Sequence, residues 1–462
     1  MNILVTGGTG FVGRALCRDL VCEGHSLTLV VRRKKSLPAD WGLPGKILVW
    51  DPTKEDCPHD LSEFDAVVHL MGESIAAGRW TVSRKARIQA SRGLATRRLA
   101  TALNKRKKPV DCFISASAIG YYAYDLPQGL SETAAPAEHF LAQVCQDWEA
   151  AAKLVPAQRS LILRLGMILG PDGGAMERLR PLFAAGLGGR LGSGHQVMSW
   201  IHRDDVVAII SKALKDTKWR GLYNCVSPSP VSNREFTAAL ARTLERPALL
   251  PAPAIAMKAA FGQMSDILLK SQKIIPERLQ QEGFQFKYPD LTQALADVCS
   301  LVEQNGSKYP CLRFESQQFV ARNRSEVFTF FCNPHNLERL TPTQLSFKIL
   351  DISTPQIGEG SIIQYKLKLY GIPFRWKTLI REWKPEQQFI DTQEKGPYAI
   401  WHHTHRFHAV PGGTLMVDIV RYRLPMGWLG ELFGLPIVKR EVRGIFAFRR
   451  QIIAKIFGDA NS

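Results

Sequence analysis

The stretch Met1-Asn2-Ile3-Leu4-Val5-Thr6-Gly7-Gly8-Thr9-Gly10-Phe11-Val12-Gly13 carries an apolar run straight into three glycines spaced Gly7-x-x-Gly10-x-x-Gly13. Ile3, Leu4 and Val5 read as a buried strand, and an amphipathic helix begins near Phe11. A strand, a glycine-rich turn and a helix N-terminus in that order form a cradle for phosphate. The first glycine permits the tight turn, the second lets the backbone approach the anion, and the third lets the helix close on the strand. A second strand, Leu27 to Val31, follows. Thr6, Gly7, Gly10, Phe11, Val12 and Gly13 are therefore expected to hold a dinucleotide, joined by Leu70 and Gly72 after a later strand.

The end of the second strand decides which dinucleotide. NAD-preferring folds place a carboxylate there for the ribose 2′-OH, whereas this chain has Arg32 and Arg33, followed by Lys34 and Lys35. An arginine at that place pairs with a 2′-phosphate, so NADP(H) is the expected cofactor.

Strand and helix patterns alternate to about residue 225, with apolar runs at 67–72, 112–117 and 161–170. This is the signature of an α/β fold with a Rossmann-type, doubly wound parallel sheet. Residues 1–225 are expected to form the NADP-binding domain and 226–302 its substrate-side part, with a helix over Arg234–Leu244. The polar, turn-rich segment EQNGSKYP (303–310) reads as a linker. From 311 to 462 the pattern changes to long alternating strands, with a helix near Arg324–Cys332 and a last one at about 438–457. That is an α+β design able to enclose an apolar ligand.

The 462 residues exceed what one core usually serves. The net charge of +18 is spread along the chain, +9 on the longer part before Lys308 and +9 from it onward, and no recognition motif accompanies it, so no nucleic-acid partner is expected. Nine cysteines without a CxxC pair read as reduced thiols. No transmembrane segment is expected, because the longest candidate, Leu424 to Val438, is broken by Pro425, Glu431 and Pro436. With no signal peptide ahead of the first strand, the expected location is cytoplasmic.

The GxxGxxG spacing is the form used by extended short-chain dehydrogenase/reductases. TGGTGFVG (6–13), HLMGESIAAGRW (69–80), ISASAIGYY (114–122), LRLGMILGPDGG (163–174), SWIHRDD (199–205) and NCVSPSPVSNREF (224–236) extend the match. Through them residues 1–298 resemble the atypical members labelled NAD-dependent epimerase/dehydratase-like proteins, and 276–291 resembles that family's C-terminal module. Residues 311–457 resemble the START-like helix-grip superfamily of polyketide cyclases and coenzyme-Q-binding proteins, through 314–342 and 401–425.

The first resemblance implies hydride chemistry by a serine and a Tyr-x-x-x-Lys pair, and a homodimer formed through helices beside the active site. Ser117 matches the serine. Aligned on Glu149, the Tyr and Lys positions hold Leu141 and Cys145, neither able to do acid–base work on a carbonyl. Three readings follow. Tyr121 or Tyr122 supplies the proton, the reaction needs no tyrosine acid, or the domain only senses NADP(H). Glu73 and Arg79, in the loop after the strand at 67–70, are placed either to hold an anionic small-molecule substrate or to pair with each other.

Asp205 and His202 fit a helix N-terminus, the aspartate as cap and the histidine as loop anchor. On a strand, His403 and His405 share a face with Trp401 and Phe407, while His402 and His408 point away. Trp401, His403 and His405 are thus expected to line a cavity for a hydrophobic ligand, and no metal site is expected. Phe407, Tyr365 and Trp376 should face the same concavity, under the last helix.

Overall fold

The computed structural model describes residues 1–369 and 371–458. They form two compact units, one of Met1–Leu20, His25–Leu37 and Gly45–Val298, the other of Val21–Gly24, Pro38–Pro44 and the chain from Cys299 onward.

The first unit is built on seven parallel strands: β1 (Asn2–Thr6), β2 (Ser26–Val31), β3 (Lys46–Val49), β4 (Ala66–His69), β5 (Val110–Ala118), β6 (Ala157–Leu165) and β7 (Gly221–Cys225). Their order is β7-β6-β5-β4-β1-β2-β3. Helices include α1 (Phe11–Cys22), α2 (Ala95–Leu103), α3 (Phe140–Ala152), α4 (Arg203–Lys215) and α5 (Asn233–Thr243). Strands covered on both faces have no wet side, which is why β4 is buried at every residue and reads Ala-Val-Val-His. Leu4, Val30, Val67 and Phe113 of four strands meet Leu99 and Leu103 of α2 in one core. The strand order reverses between β1 and β4, so the loops after them flank the crevice where such sheets bind ligands.

The run 161–170 is not one strand. It breaks at Gly166, and Met167–Leu169 pairs instead with Trp200–His202. The chain is pinched there, since a Cβ on Gly166 would lie 2.7 Å from Val226 Cγ1 and 2.8 Å from the Ser199 oxygen.

The second unit is an antiparallel sheet of β8 (Leu312–Val320), β9 (Lys348–Ile352), β10 (Ile362–Leu369), β11 (Ile372–Lys384), β12 (Gln388–Lys395), β13 (Ile400–Val410) and β14 (Gly413–Arg423). Its order is β8-β14-β13-β12-β11-β10-β9. Between β8 and β9 lie α6 (Arg324–Cys332) and α7 (His335–Arg339), and the chain ends on α8 (Trp428–Phe457). Val442 and Phe446 of α8 pack on Leu312, Val420 and Tyr422, while Ile453 and Phe457 join Phe328, Phe389 and Phe407. The helix starts ten residues before the expected 438 and runs through Pro436, which forgoes one backbone hydrogen bond.

The expected linker is a hairpin, Val302–Gln304 paired with Ser307–Tyr309. Asn305 and Gly306 both have positive φ, 52° and 75°, as a two-residue turn of this hand requires. Among the described residues no helix is long and apolar enough to cross a membrane.

Candidate functional site

The glycine cradle stands at the switch point. Gly7 has φ +73°, and a Cβ there would lie 2.7 Å from the Leu70 carbonyl carbon and oxygen. A Cβ on Gly13 would lie 2.3 Å from the Gly7 oxygen and 2.6 Å from Gly8 Cα, so only glycine lets α1 close on the turn. Gly10 is different. Its Cβ would meet only the Gly7 oxygen, at 3.2 Å, and the residue is exposed, so its bareness opens backbone toward a ligand. A dinucleotide pyrophosphate fits this cradle.

Phe11 and Val12 open the first turn of α1. The Phe11 side chain serves packing, because a Cβ on Gly170, Gly173 or Gly174 would come within 2.6–2.8 Å of its ring. Arg32 and Arg33 follow β2, are exposed, and have no ion-pair partner among the described residues. Leu70 donates its N–H to the Thr6 carbonyl at 3.0 Å, and Gly72 faces the Arg92 guanidinium, with a Cβ distance of 3.1 Å. The Thr6 side chain is committed to its neighbours. It bonds His69 Nδ1 at 2.7 Å, His69 Nε2 bonds Thr96 Oγ1 at 2.9 Å, and Thr96 donates to the Arg92 carbonyl at 2.6 Å. That chain puts the imidazole proton on Nε2, and burial lowers the His69 pKa to about 4.

Ser117 sits at the carboxyl end of β5 but is 1% exposed, and its hydroxyl donates to Glu149 Oε1 at 2.7 Å. Glu149, on α3, receives both Nε and Nη2 of Arg164 at 2.8 Å. Arg164 Nη1 donates to the Tyr122 hydroxyl at 2.7 Å, and that hydroxyl donates to Asn224 Oδ1 at 2.7 Å. Burial pushes the Tyr122 phenol up to about 12 against the pull of Arg164. Tyr122 is 0% exposed and both its hydrogen-bonding roles are taken, so the expectation that it delivers a proton to substrate is corrected. Tyr121 is half-buried, its ring centroid 3.3 Å from Arg164 Cζ. Leu141 and Cys145 face the same place. A Cβ on Gly120 would touch Leu141 at 3.2 Å, and Cys145 Sγ lies 3.6 Å from the Ala118 oxygen. Burial raises the Cys145 thiol to about 11, which keeps it protonated and inert.

Glu73 does not pair with Arg79. Its carboxylate lies 3.8 Å from Arg84, while Arg79 is exposed beside Gly262. The expected roles of His202 and Asp205 are exchanged: His202 Nδ1 caps α4 by accepting from Asp204 N at 3.2 Å, and Asp205 anchors a loop by accepting from Lys287 N and Tyr288 N. An imidazole nitrogen serves as well as an oxygen for an orphan N–H, so the histidine takes the cap and frees the aspartate for the loop.

The second unit holds a cavity of about 190 Å³ lined by Tyr365, Trp376 and Trp401, by Phe446 of α8, and by Asp391, His403, His405 and Arg449. The expectation that Phe407 faces the cavity is corrected: its ring is packed on Phe328 and Phe331 instead. The two histidines meet two carboxylates that the reading of β13 alone could not supply. Asp391 lies directly across from His403, and Asp418 across from His405. Asp418 Oδ1 is 3.1 Å from His403 Nε2 and 2.8 Å from His405 Nδ1, and Asp391 Oδ2 is 3.4 Å from His403 Nδ1 and 2.9 Å from His405 Nε2. Burial and the neighbouring His405 lower His403 to about 4; against the same burial, the two carboxylates hold His405 above its ordinary value. The alternation of the hairpins carried this signal, had their register been assigned.

A parallel sheet with a glycine cradle at its switch point defines a dinucleotide-binding α/β protein. Residues 3–225 match the NAD dependent epimerase/dehydratase family, and 252–298 match a domain of unknown function, DUF1731. Epimerase family protein Mb2239 of Mycobacterium bovis is 39% identical over 299 residues, 63% of this chain and 96% of that protein. Epimerase family protein SDR39U1 of Homo sapiens is 36% identical over 303 residues, 64% of this chain and 99% of that one. The crystal structure of human SDR39U1 (isoform 2) with NADPH superposes with a TM-score of 0.59 at 34% identity, covering 65% of this chain and 99% of that chain. The chain belongs to the NAD dependent epimerase/dehydratase family.

Proposed function

We propose that the first unit is an NADP(H)-dependent oxidoreductase or epimerase acting on a small molecule, and that the second is a START-like domain binding a hydrophobic ligand. The observation that carries the cofactor reading is the cradle, with two unpaired arginines standing where a 2′-phosphate would lie. The related human protein was crystallised with NADPH, in keeping with this choice. When bound, the nicotinamide supplies or accepts hydride. The chain's own residues present the pyrophosphate with the N–H groups at the start of α1, and Arg32 and Arg33 meet the extra phosphate. Tyr121 is the remaining tyrosine candidate for moving a proton.

A second reading is a non-catalytic NADP(H) sensor. It is favoured by the buried cluster, in which Ser117, Glu149, Arg164, Tyr122 and Asn224 satisfy one another. The START-like reading rests on the sheet order, the long C-terminal helix and the aromatic cavity. Nine cysteines outside any disulfide, most of them buried, support a reducing compartment, hence a cytoplasmic protein.

Titration by protein fluorescence tests the cofactor. NADPH should bind about ten- to a hundredfold more tightly than NADH, the worth of charge-assisted bonds of about 1.5–3 kcal/mol. Arg32→Ala with Arg33→Ala should erase the difference; equal affinity in the wild type overturns the reading. Turnover of a carbonyl or nucleotide-sugar substrate that Tyr121→Phe abolishes supports the enzyme, and its absence across such a screen supports the sensor.

A further inference from the structure

We propose that Asp391, His403 and His405 form a three-donor site for a first-row divalent cation. Asp418 and Arg449 support it, and the apolar cavity supplies the open coordination positions. The strand register alone brings the donors together: Asp391 of β12 faces His403 of β13, and His405 stands two residues on, on the same face. Their ligand atoms all lie within 4.8 Å of one another.

The hydrogen bonding around the histidines leaves donor atoms turned toward one another. His403 Nε2 donates to Asp418 Oδ1 at 3.1 Å, which leaves the His403 Nδ1 lone pair 3.4 Å from Asp391 Oδ2, two acceptors face to face. His405 Nδ1 accepts from Arg449 Nη2 at 3.5 Å, so the His405 proton sits on Nε2, bonded to the same Asp391 oxygen at 2.9 Å. That proton satisfies one approach to Asp391 and leaves the other unsatisfied. A divalent ion in its place satisfies both, with the His405 proton moved to Nδ1, 2.8 Å from Asp418 Oδ1.

Metal-bound imidazoles characteristically give their second N–H to a carboxylate, which fixes tautomer and ring orientation. Here one carboxylate serves both rings and is itself 3.6 Å from Arg449 Nη2. Bonds of about 2.0–2.1 Å in tetrahedral geometry separate donors by about 3.4 Å. The 3.4 Å pair already fits, and the 2.9 Å pair opens once the proton between its atoms has left.

Two imidazoles and one carboxylate suit Zn²⁺ or Fe²⁺ and leave at least one position open. Asp391, His403 and His405 line the same cavity as Tyr365, Trp376 and Trp401, so that position opens into it. With a divalent ion bound and both imidazoles neutral, the group has a net charge of +1, counting Asp391, Asp418 and Arg449. The open position therefore favours an oxyanion on an apolar body, such as a carboxylate or enolate.

The test uses the full-length chain, stripped with chelator and reloaded with Zn²⁺. One ion per chain should be retained, and X-ray absorption should show two imidazoles on it. His403→Ala and Asp391→Asn should abolish stoichiometric retention, Asp418→Asn should weaken it about 10- to 100-fold, and His402→Ala, which turns to the opposite face, should leave it unchanged. Sub-stoichiometric uptake overturns the proposal. So does an ion carrying one imidazole or none, which would place it elsewhere, for example between His202, Asp204 and Asp297. Should the His403 or Asp391 variants fail to fold, the imidazole count in the wild type still decides.

Discussion

Ser117 shows how a side chain can stand where catalysis would need it and yet be held by its neighbours. Its hydroxyl proton is given to Glu149, whose other bonds go to Arg164, and the three lie together with hardly any solvent. A lone buried carboxylate would be costly, and the bidentate arginine offsets that cost. Glu149→Gln should therefore lose about 3–5 kcal/mol in denaturant unfolding, because it leaves Arg164 charged and unpaired. Ser117→Ala should lose about 1.5–3 kcal/mol, the worth of one bond to a charged group. Lost turnover with unchanged stability in Ser117→Ala would return that residue to the substrate. His69 gives a pH signature. Its folded pKa of about 4 lies below the unfolded 6.5, so both states are neutral above pH 6.5 and nothing is lost there. As pH falls from 6.5 to 4 the unfolded chain takes up the proton first, and stability declines by up to about 3 kcal/mol. His69→Gln should be less stable at neutral pH yet flatter across that window, as unfolding curves at several pH values would show.

At the level of elements, what could be read from the sequence was what is local. Gly7, Gly10 and Gly13 announce their turn because strand, turn and helix are contiguous, and the structure gives each a different reason. Gly13→Ala should unfold the first unit or melt well below the wild type, since its Cβ has no room beside the Gly7 oxygen. Gly10→Ala should melt near the wild type and bind NADPH more weakly, because its side chain faces outward; unchanged affinity would mean that no ligand approaches there. Asn305-Gly306 carried an equally local signal for a hairpin, hidden by the polar residues around it. Other features depended on residues far apart in the chain. Asn224 reaches Tyr122 across 102 positions, and Asp391 and Asp418 flank the two histidines only through strand register. A pattern of one residue type in one segment contains neither fact. The histidines of β13 thus read as a wall of the cavity, while their carboxylate partners went unseen.

Over the whole molecule, two units with separate hydrophobic cores imply two stabilities. Leu4, Val67 and Phe113 anchor one core, and Val420, Phe446 and Phe407 belong to the clusters of the other. The cradle, Arg32 and Arg33 all belong to the first unit, and the Asp391–His403–His405 group belongs to the second. A ligand stabilises only the folded unit that binds it, by about 2.7 kcal/mol at a hundred times its dissociation constant. For a unit of this size that corresponds to a rise of about 5–10 °C in melting temperature. Calorimetry of the full chain should therefore resolve two transitions, with saturating NADPH raising one of them and leaving the other in place. Zn²⁺ after chelator treatment should raise the other. Each ligand thereby assigns one transition independently, and His403→Ala should remove the Zn²⁺ shift while sparing the NADPH shift. A single transition moved equally by both ligands would show that the two cores unfold as one cooperative body, and the sites would then be thermodynamically linked despite their separate cores.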